Sequence, residues 1–451
     1  LVELPLSGFT GATVQICAYN FTNYPNNDQY GAYVRLVGFK GADDEMAALT
    51  KQAIANNECG WFYRSKSSNF TKIPGAPLAY WANKDLIDAF TKGMPLKSTG
   101  DTRQGLATSD NNRFLRLWHE VATNKVMHGC QSRSQARVSD KKWFPYNKGG
   151  DFRKWYGNVD YYINWEHDGQ ELLEYATLLY RSPTRTIKSI SEYFKECVSW
   201  SKISSGNLAM RYYDKGFIFD VAGCSIFSPE KSTLFEIIAF TNSNVTRALL
   251  KCISPTLNFE AGHIASLPLI ELGRSIIQDI STLLVQAARG DWDSYETSWD
   301  FQHLPLLGVR CQGLGVRDCY AKLREQWIES TLKMQELEEE NNRIFIEAYG
   351  LEDEIKPEVP LREITLTCNP YYRYGVNSEV LGVRGEVLGV REFPINEELE
   401  KRLLADTMKE LISYAVGCMF GRYSLDKPGL ILANQGEGLD DYVVKVLGVS
   451  G

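Results

Sequence analysis

The chain has 451 residues, 44% hydrophobic and 23% charged, a composition typical of a folded globular protein of roughly two to four domains. Its formal net charge of −7 excludes a uniformly basic nucleic-acid-binding protein, so any nucleic-acid site must be a local basic patch. No apolar run reaches the roughly 18 residues of a membrane span, the ten cysteines form no C-x-x-C pair and the five histidines form no H-E-x-x-H motif. We therefore expect no membrane partner, no metal site, and a cytoplasmic protein whose cysteines are reduced and mostly buried.

The first part of the chain predicts a small α/β domain. Residues 9–22 and 32–36 alternate like core strands, and residues 43–56 predict a helix. A chain that opens on core strands is expected to be a fragment of a longer domain. The Pro- and Gly-punctuated stretch IPGAPLAYW (73–81) predicts a boundary, and we place the first domain at residues 1–82.

The rest of the chain changes character near residue 270. Residues 83–270 combine short strands, aromatic loops and a few helices, and they predict a mixed α+β domain. Residues 271–451 predict a helical C-terminal domain. Apolar residues at helical spacing predict a helix over 318–349 that ends at Gly350, and a second helix over 396–420.

A short motif recurs in the C-terminal part. Leu-Gly-Val-Arg occurs at 307–310, 314–317, 381–384 and 388–391. Structural repeats are about 20 residues or longer, so a seven-residue period is too short for one. We interpret the copies as translated tandem DNA repeats inserted into surface loops, with a functional linear motif as the alternative.

Two stretches match methyltransferase motifs incompletely. Asn369-Pro-Tyr-Tyr matches the Asn-Pro-Pro-Tyr motif of adenine-amine methyltransferases at three of four places, but Tyr371 replaces the second Pro that stiffens the turn. Phe219-Asp-Val-Ala-Gly-Cys-Ser lacks both the Pro and the G-x-G of a cofactor loop. We interpret the first as a loop with aromatic packing and the second as a strand with a Gly turn, so we predict no catalytic or cofactor-binding residue in this chain.

Residues 104–121 form the first candidate DNA contact. The pattern predicts a polar turn that leads into a helix, which Ser109 or Asp110 can cap, and free N–H groups at that end suit a phosphate. The candidate residues are Thr108, Asn111, Asn112, Arg113 and Arg116. Asn and Arg side chains suit contacts to the DNA backbone or to base edges. The alternative is a capped helix with solvated arginines.

Residues 133–155 form a second candidate, because they concentrate positive charge among aromatic residues. The candidate residues are Lys141, Lys142, Lys148, Arg153 and Lys154. In an acidic chain such a patch is the electrostatic footprint expected of nucleic-acid binding. An exposed loop packed on a hydrophobic base is the alternative.

A third candidate lies at residues 200–211, where small polar side chains accompany two cations. The candidates are Lys202, Ser204, Ser205 and Arg211. These groups can donate to phosphates or base edges, and an ordinary hairpin turn explains them equally well.

Several long stretches resemble one family. They are FTKIPGAPLAYW (70–81), QGLATSDNNRFLRLWHEV (104–121), KKWFPYNKGGDFRKWYGNVDYYINWEHDG (141–169), WSKISSGNLAMRYYDKGFIFDVAGCSIF (200–227), SPTLNFEAGHIASLPL (254–269) and MKELISYAVGCMFGRYSLDKPGLILANQGEG (408–438). Together they resemble the PglX family, the adenine-specific DNA methyltransferases of the BREX phage-defence systems, which are related to type IIG restriction-modification enzymes.

The resemblance implies a fold and a function. It implies an α/β remnant of a methyltransferase sheet at 1–82, a target-recognition domain at 83–270, and a helical C-terminal region at 271–451. In that family S-adenosylmethionine methylates adenine in double-stranded DNA, and other BREX proteins are possible partners. Because the family's cofactor loop and catalytic motif lie before the region that this chain resembles, we expect it to supply mainly DNA recognition and to bind no cofactor alone. The alternatives are a catalytically inactive DNA-binding or partner-docking protein, and a degraded gene product.

Overall fold

The computed structural model describes residues 1–6, 15–22, 29–41, 43–204, 206–254, 258–272, 274–309, 315–375, 383–384 and 391–448. These residues divide into two compact units. One unit contains Leu1–Met94 and Ala248–Pro255, and the other contains Pro95–Arg247 and Thr256–Gly451. The predicted domain boundaries after residues 82 and 270 stay a prediction. Each copy of the Leu-Gly-Val-Arg motif lies partly outside the described residues, and its placement in surface loops also stays a prediction.

The first unit contains a four-stranded mixed sheet. In chain order its elements are β1 (Val2–Glu3), β2 (Cys17–Ala18), β3 (Tyr30–Arg35), α1 (Asp43–Ala55), β4 (Phe62–Lys66), α2 (Ser67–Phe70) and α3 (Lys84–Lys92). The strand order is β2-β1-β3-β4, with β3 parallel to β1 and antiparallel to β4. Val34 of β3 and Met46 of α1 lie in one buried apolar cluster, which fixes the helix against the sheet. The strand predicted at 32–36 and the helix predicted at 43–56 are confirmed.

The second unit carries most of the chain, and of the elements given next in chain order only Met94 and residues 248–253 belong to the first unit. The elements from Met94 onward are β5 (Met94–Pro95), β6 (Asp101–Arg103), α4 (Asn111–Phe114), β7 (Leu115–Leu117), α5 (Arg133–Val138), β8 (Trp143–Asn147), β9 (Tyr161–Asn164), α6 (Glu166–Tyr180), β10 (Cys197–Ser201), β11 (Met210–Tyr213), β12 (Ile218–Phe219), β13 (Gly223–Phe227), α7 (Lys231–Thr241), α8 (Asn244–Ile253), α9 (Ala261–Ala265), β14 (Pro268–Leu269), α10 (Arg274–Trp292), α11 (Pro305–Gly308), α12 (Val316–Tyr349), α13 (Pro370–Arg373), β15 (Val383–Arg384), β16 (Arg391–Glu392), α14 (Glu397–Met419) and α15 (Leu439–Leu447). Strands dominate up to β13 and helices dominate beyond it, which confirms the mixed α and β character predicted from the sequence.

Two four-stranded sheets form the strand-rich half of this unit. One has the order β11-β10-β13-β6 with antiparallel neighbours, and its central strands β10 and β13 are almost entirely buried. The other has the order β12-β8-β9-β7, in which β12 is parallel to β8. Gly105 lies against the backbone carbonyl of Phe219 so closely that an added Cβ would be 1.8 Å from that oxygen, and only glycine fits there.

Long helices cover the C-terminal half. The helix α12 ends at Tyr349 because Gly350 adopts a left-handed conformation with φ of 61°, which glycine reaches without a Cβ penalty. The helix α14 begins after Asn396, whose side chain accepts hydrogen bonds from the backbone N–H groups of Glu398 and Leu399. Both helices, and the stop at Gly350, are confirmed as predicted.

Two further predictions concern the oxidation state of the cysteines and the presence of membrane-spanning segments. Eight cysteines in the described part of the chain are free thiols, five of them buried. Cys319 is disulfide-bonded, so the prediction that all cysteines are reduced is wrong at that position. Among the described residues, the helices are all too short or too polar to cross a lipid bilayer.

Candidate nucleic-acid interface

The segment around residue 110 folds differently from the predicted helix. Asp110 caps the segment by accepting a hydrogen bond from the backbone N–H of Arg113, but α4 lasts a single turn and ends at Phe114. The chain then extends as β7, because Leu115 pairs with Ile163 of β9. Strand pairing with a residue far along the chain overrides the local helical pattern. The prediction of one continuous helix here is wrong, and a one-turn helix offers no phosphate site of its own.

The turn from α4 into β7 directs its polar side chains to a cleft of about 460 Å³. The lining residues are Asn111, Asn112, Leu115, Arg116, Leu117, Glu120, Lys148 and Tyr161. Four of them, namely Asn111, Asn112, Arg116 and Lys148, are predicted DNA-binding residues from two separate stretches of sequence. We call this site the polar cleft.

Arg116 is held in place on the cleft wall by backbone carbonyls of neighbouring residues. Its Nη1 donates to the carbonyls of Asn112 and Leu115, both at 2.6 Å, and the guanidinium lies 5.6 Å from the ring centroid of Trp143. In the described part of the chain its Nε and Nη2 donate no hydrogen bond. The side chain is therefore pre-organised, with donors left for a ligand in the cleft.

Lys148 reaches the cleft from the end of β8. Its Nζ lies 2.7 Å from Oδ2 of Asp220, a buried carboxylate that also accepts hydrogen bonds from the hydroxyl of Tyr146 and the backbone N–H of Ala222. Burial, together with the charge of Asp220, raises the pKa of Tyr146 well above its ordinary value. Because Asp220 neutralises part of its charge, Lys148 contributes less positive potential to the cleft than a free lysine would.

Thr108 supports the cleft without reaching its surface. The side chain is buried, and its hydroxyl donates to Oδ1 of Asn111 over 2.6 Å. This contact fixes the amide of Asn111 and leaves its Nδ2 group as the donor available to the cleft. Thr108 therefore positions Asn111 and does not itself offer a contact to DNA, which corrects its prediction as a contact residue.

Three further predicted cations lie outside the polar cleft. Arg113 forms an exposed ion pair with Glu171, in which Nη2 and Nε both donate to Oε1, at 2.7 and 2.9 Å. Lys141 donates to the carbonyl of Asn124, and Lys142 lies 3.7 Å from Glu166. These side chains are at least partly exposed, so they remain proposed contacts with a ligand that extends beyond the cleft.

Arg153 and Lys154 have structural partners instead. Their exposed fractions are 3% each. Arg153 forms a buried ion pair with Asp291 at 2.7 Å, and Lys154 forms one with Glu338. Both carboxylates lie on helices of the C-terminal half, so the two cations fasten the 153–158 loop to α10 and α12.

Arg211 completes this buried basic cluster, which we define as Arg153, Lys154 and Arg211. Arg211 is 0% exposed and donates to the carbonyl of Arg153 and the hydroxyl of Ser201. A cation in this position cannot reach a nucleic acid without unfolding of its surroundings. The structure therefore corrects the prediction of DNA contact for all three residues of the cluster.

The third candidate group is scattered. Lys202 pairs with Glu260 at 3.0 Å, and the hydroxyl of Ser204 donates to the carbonyl of Asn207 within a turn. Ser205 lies outside the described residues. Neither Lys202 nor Ser204 lines the polar cleft, so these residues stay a prediction that the geometry does not join to the other candidates.

The Asn-Pro-Tyr-Tyr stretch has a structural role. Asn369 is fully buried, its Nδ2 donates to the carbonyls of Leu361 and Ile364, and its Oδ1 accepts from the N–H of Tyr371. Tyr371 packs on the ring of Phe393 at 5.7 Å. All of the hydrogen-bonding groups that a catalytic Asn would offer to a target base are used inside the protein. Asn369 acts as the cap of α13, and the tyrosine after it provides aromatic packing.

The Gly-containing turn after Phe219 is also occupied by the protein itself. Asp220 and Ala222 make the contacts described above, and a Cβ added to Gly223 would lie 2.8 Å from the backbone oxygen of Asn147. The turn packs against the neighbouring strand β8.

Sequence reasoning missed the other side of the polar cleft. Tyr161 lies at the start of β9, and the carboxylate of Glu120 accepts a hydrogen bond from the backbone N–H of Leu117 at 2.7 Å. The pairing of Leu117 with Tyr161 brings both strands to the cleft. The aromatic and β-branched residues of 161–164 are typical of a strand, but only its pairing with β7 reveals that Tyr161 lines the same cleft as Asn112 and Arg116.

No family model matches the chain. Among curated proteins, it is 34% identical over 430 residues to the adenine-specific methyltransferase PglX of Lacticaseibacillus casei (strain Zhang), an alignment that covers 94% of this chain and 32% of that protein. It is 32% identical over 430 residues to the adenine-specific methyltransferase BrxX of Escherichia coli O9:H4 (strain HS), covering 95% of this chain and 32% of that protein.

These similarities establish homology with one class of protein, the adenine-specific methyltransferases. Within that class the chain is homologous to a portion of the PglX and BrxX proteins, and it spans about a third of their length. The resemblance predicted from the sequence motifs is confirmed.

Proposed function

We propose that this chain supplies DNA recognition within a site-specific adenine DNA methyltransferase of a BREX phage-defence system. The observation that carries the proposal is the convergence of Asn111, Asn112, Arg116 and Lys148 on the polar cleft, although they come from two separate stretches of sequence. Homology with adenine-specific methyltransferases makes double-stranded DNA the ligand that this proposal assigns to the cleft.

The side chains of the cleft suit both parts of DNA recognition. An Asn amide can bond an adenine edge in a bidentate manner, whereas Arg can contact either a guanine edge or a phosphate. Asn112 and Arg116 carry these groups on a short, backbone-braced turn. Arg116 is the cation on the lining that forms no ion pair within the described residues, whereas Lys148 is partly neutralised by Asp220 and Glu120 adds one carboxylate.

Methyl transfer is assigned to the part of the relatives that this chain does not span. S-adenosylmethionine would supply the methyl group for the exocyclic amine of adenine in the complete enzyme. In this chain the two stretches nearest to a cofactor loop and a catalytic motif, around Gly223 and Asn369, are filled by the protein's own contacts. The chain's residues therefore hold and read DNA in this proposal, and other BREX proteins are its possible partners.

The experiment measures binding of the 451-residue chain to short duplex DNA by fluorescence anisotropy. Replacing Asn112 by Ala and Arg116 by Gln removes two candidate contacts, and each well-made base contact is worth about 1–3 kcal/mol. We therefore expect the double variant to bind at least about tenfold more weakly. With two cations on phosphates, log affinity should fall with log salt with a slope of about −2.

A matched control separates the cleft from general charge loss. Arg343 is an exposed arginine on α12 that pairs with Glu340, three residues away. Replacing Arg343 by Gln removes the same charge far from the cleft in sequence, and the affinity should stay within about twofold. Equal losses for both variants, or no DNA binding by the parent chain, would contradict the proposal.

A further inference from the structure

Among the described residues that line the polar cleft, Glu120 provides the only carboxylate, and the proposed function gives it no role. It ends the short turn Trp118–Glu120 that directly follows β7, and it is an exposed residue. A carboxylate is unfavourable on a surface that binds DNA, because the negative phosphates of the duplex repel it. Its place in the cleft therefore calls for a partner on the DNA other than a phosphate.

Glu120 is held at the free edge of a sheet. The strand β7 is last in the order β12-β8-β9-β7, so only one of its edges pairs with another strand. The backbone N–H of Trp118 donates to the carbonyl of Asp160, which precedes β9. Successive residues of a strand direct their backbone groups to opposite edges. Those of Leu115 and Leu117 therefore point away from β9.

Two side chains of the cleft occupy these edge groups. Oε2 of Glu120 accepts a hydrogen bond from the backbone N–H of Leu117 at 2.7 Å, and Nη1 of Arg116 donates to the carbonyl of Leu115 at 2.6 Å. The two anchoring residues are two apart on an extended strand, so they lie within roughly 7 Å of each other. The carboxylate and the guanidinium are thus fixed side by side, each bound to the backbone of β7.

Both side chains keep atoms for a ligand. In the part of the chain that the structure describes, Oε1 of Glu120 accepts no hydrogen bond, and Nε and Nη2 of Arg116 donate none. The two nitrogens are not among the buried atoms without a partner, so solvent reaches them. A ligand in the cleft therefore meets a free acceptor beside free donors.

The donor that suits Oε1 of Glu120 lies on a base edge. The sugar–phosphate backbone of DNA offers only acceptor oxygens, because it lacks the 2′-hydroxyl. The major groove admits a β-ribbon, and its donors are the N4 amino group of cytosine and the N6 amino group of adenine. Adenine presents the acceptor N7 beside N6, which repels a carboxylate, whereas cytosine has no acceptor of its own beside N4.

We propose that Glu120 is a specificity-determining residue that accepts a hydrogen bond from the N4 amino group of a cytosine in the major groove. Oε2 stays on the backbone N–H of Leu117, and Oε1 contacts the base. Arg116 keeps the role that the proposed function gives it, on a guanine edge or a phosphate. The inference rests on the proposed function, because it needs DNA in the polar cleft.

The first experiment selects duplexes from a library with randomised positions by binding to the 451-residue chain, and sequencing gives the preferred base at each position. The parent chain should prefer cytosine at one position by about tenfold, the value of one charge-assisted hydrogen bond. Glu120→Gln should change that preference to adenine, because a Gln amide pairs with N6 and N7 of adenine. Gln also keeps an oxygen for the N–H of Leu117, so the turn is retained.

A matched control separates this contact from the loss of a negative charge. Glu336 is an exposed carboxylate on α12 that pairs with Lys333. Replacing Glu336 by Gln removes the same charge and should leave the preferred base at every position unchanged. A purely structural role of Glu120 in its turn would likewise change no base preference.

A modified base tests the contact on the parent chain, so the result does not depend on the folding of a variant. N4-methylcytosine keeps the hydrogen that pairs with guanine and replaces the hydrogen that faces the major groove by a methyl group. Placed at the preferred cytosine, it should weaken binding of the parent chain about tenfold in fluorescence anisotropy. Binding of Glu120→Ala should weaken less than about twofold, since the contact is already absent.

Two results would overturn the inference and leave the proposed function intact. They are identical base preferences of the parent chain and Glu120→Gln, and unchanged affinity of the parent chain when N4-methylcytosine replaces each preferred cytosine. If the parent chain binds no DNA, the proposed function fails and the inference fails with it.

Discussion

Two groups of cations come within five residues of each other in the sequence and have opposite surroundings. Arg116 and Lys148 line the polar cleft, whereas the buried basic cluster of Arg153, Lys154 and Arg211 lies almost completely inside the protein. Lys148 and Arg153 are five residues apart. The comparison teaches that a run of basic residues says little about function until the carboxylates that face each cation are known.

The largest expected effect concerns the buried basic cluster. Replacing Lys154 by Ala would leave Glu338 buried without its cation, and losing one partner of a buried ion pair typically destabilises a protein by about 3–5 kcal/mol. Burial already raises the pKa of Glu338, consistent with a costly charge. Urea unfolding followed by circular dichroism measures the change.

A double variant sharpens this result. Lys154→Met combined with Glu338→Gln removes both charges and keeps an acceptor for the indole N–H of Trp155, which donates to Glu338. We expect it to recover at least half of the lost stability. If Lys154→Ala lowers the free energy of unfolding by less than about 1 kcal/mol, Lys154 behaves like a surface residue, which would contradict the comparison.

A smaller effect is expected at Asp160, a carboxylate whose pKa burial raises to about 6 although the charge of Arg153 in the cluster lowers it. A carboxyl group with a raised pKa contributes stability that is complete below its unfolded pKa, near 4, and is lost as the pH rises through about 6. Asp160→Asn should therefore stabilise the chain by about 1–3 kcal/mol at pH 8. The gain should shrink at pH 5, and urea unfolding at the two pH values measures both. A gain that is independent of pH would contradict this ionisation.

The smallest effects are expected at Arg113, an exposed residue that lies outside the polar cleft. The pair of Arg113 with Glu171 is about half exposed, and such pairs contribute roughly 0–1 kcal/mol. The free energy of unfolding of Arg113→Ala should therefore lie within about 1 kcal/mol of that of the parent chain. The variant should also lose less DNA affinity than Arg116→Gln. Urea unfolding and anisotropy provide the two readings. If Arg113→Ala loses more DNA affinity than Arg116→Gln, DNA recognition depends on residues outside the polar cleft, contrary to the proposal.

The sequence predicts local features of the fold better than distant ones. The helices α12 and α14 agree with their predicted limits within two residues, because apolar spacing and the stop at Gly350 are local signals. The local pattern predicts a longer helix than the single turn of α4. The pairing of Leu115 with Ile163, which ends the helix, is not visible in that pattern.

The candidate site shows the same limit. Four of the residues that line the polar cleft were predicted from their chemistry, whereas Tyr161 depends on strand pairing and was missed. The buried basic cluster was misjudged for a related reason. Arg153 meets Asp291 across 138 residues, and Lys154 meets Glu338 across 184, so neither partner can be inferred from the neighbouring sequence.

Hydrogen–deuterium exchange of the chain with and without duplex DNA tests the central claim most directly, because it reports on both groups of cations at once. We predict that DNA slows exchange in peptides covering 109–118 and 145–149. Peptides covering 153–158 should exchange slowly already without DNA and should change little when it is added. Protection by DNA at 153–158 but not at 109–118 would contradict the account.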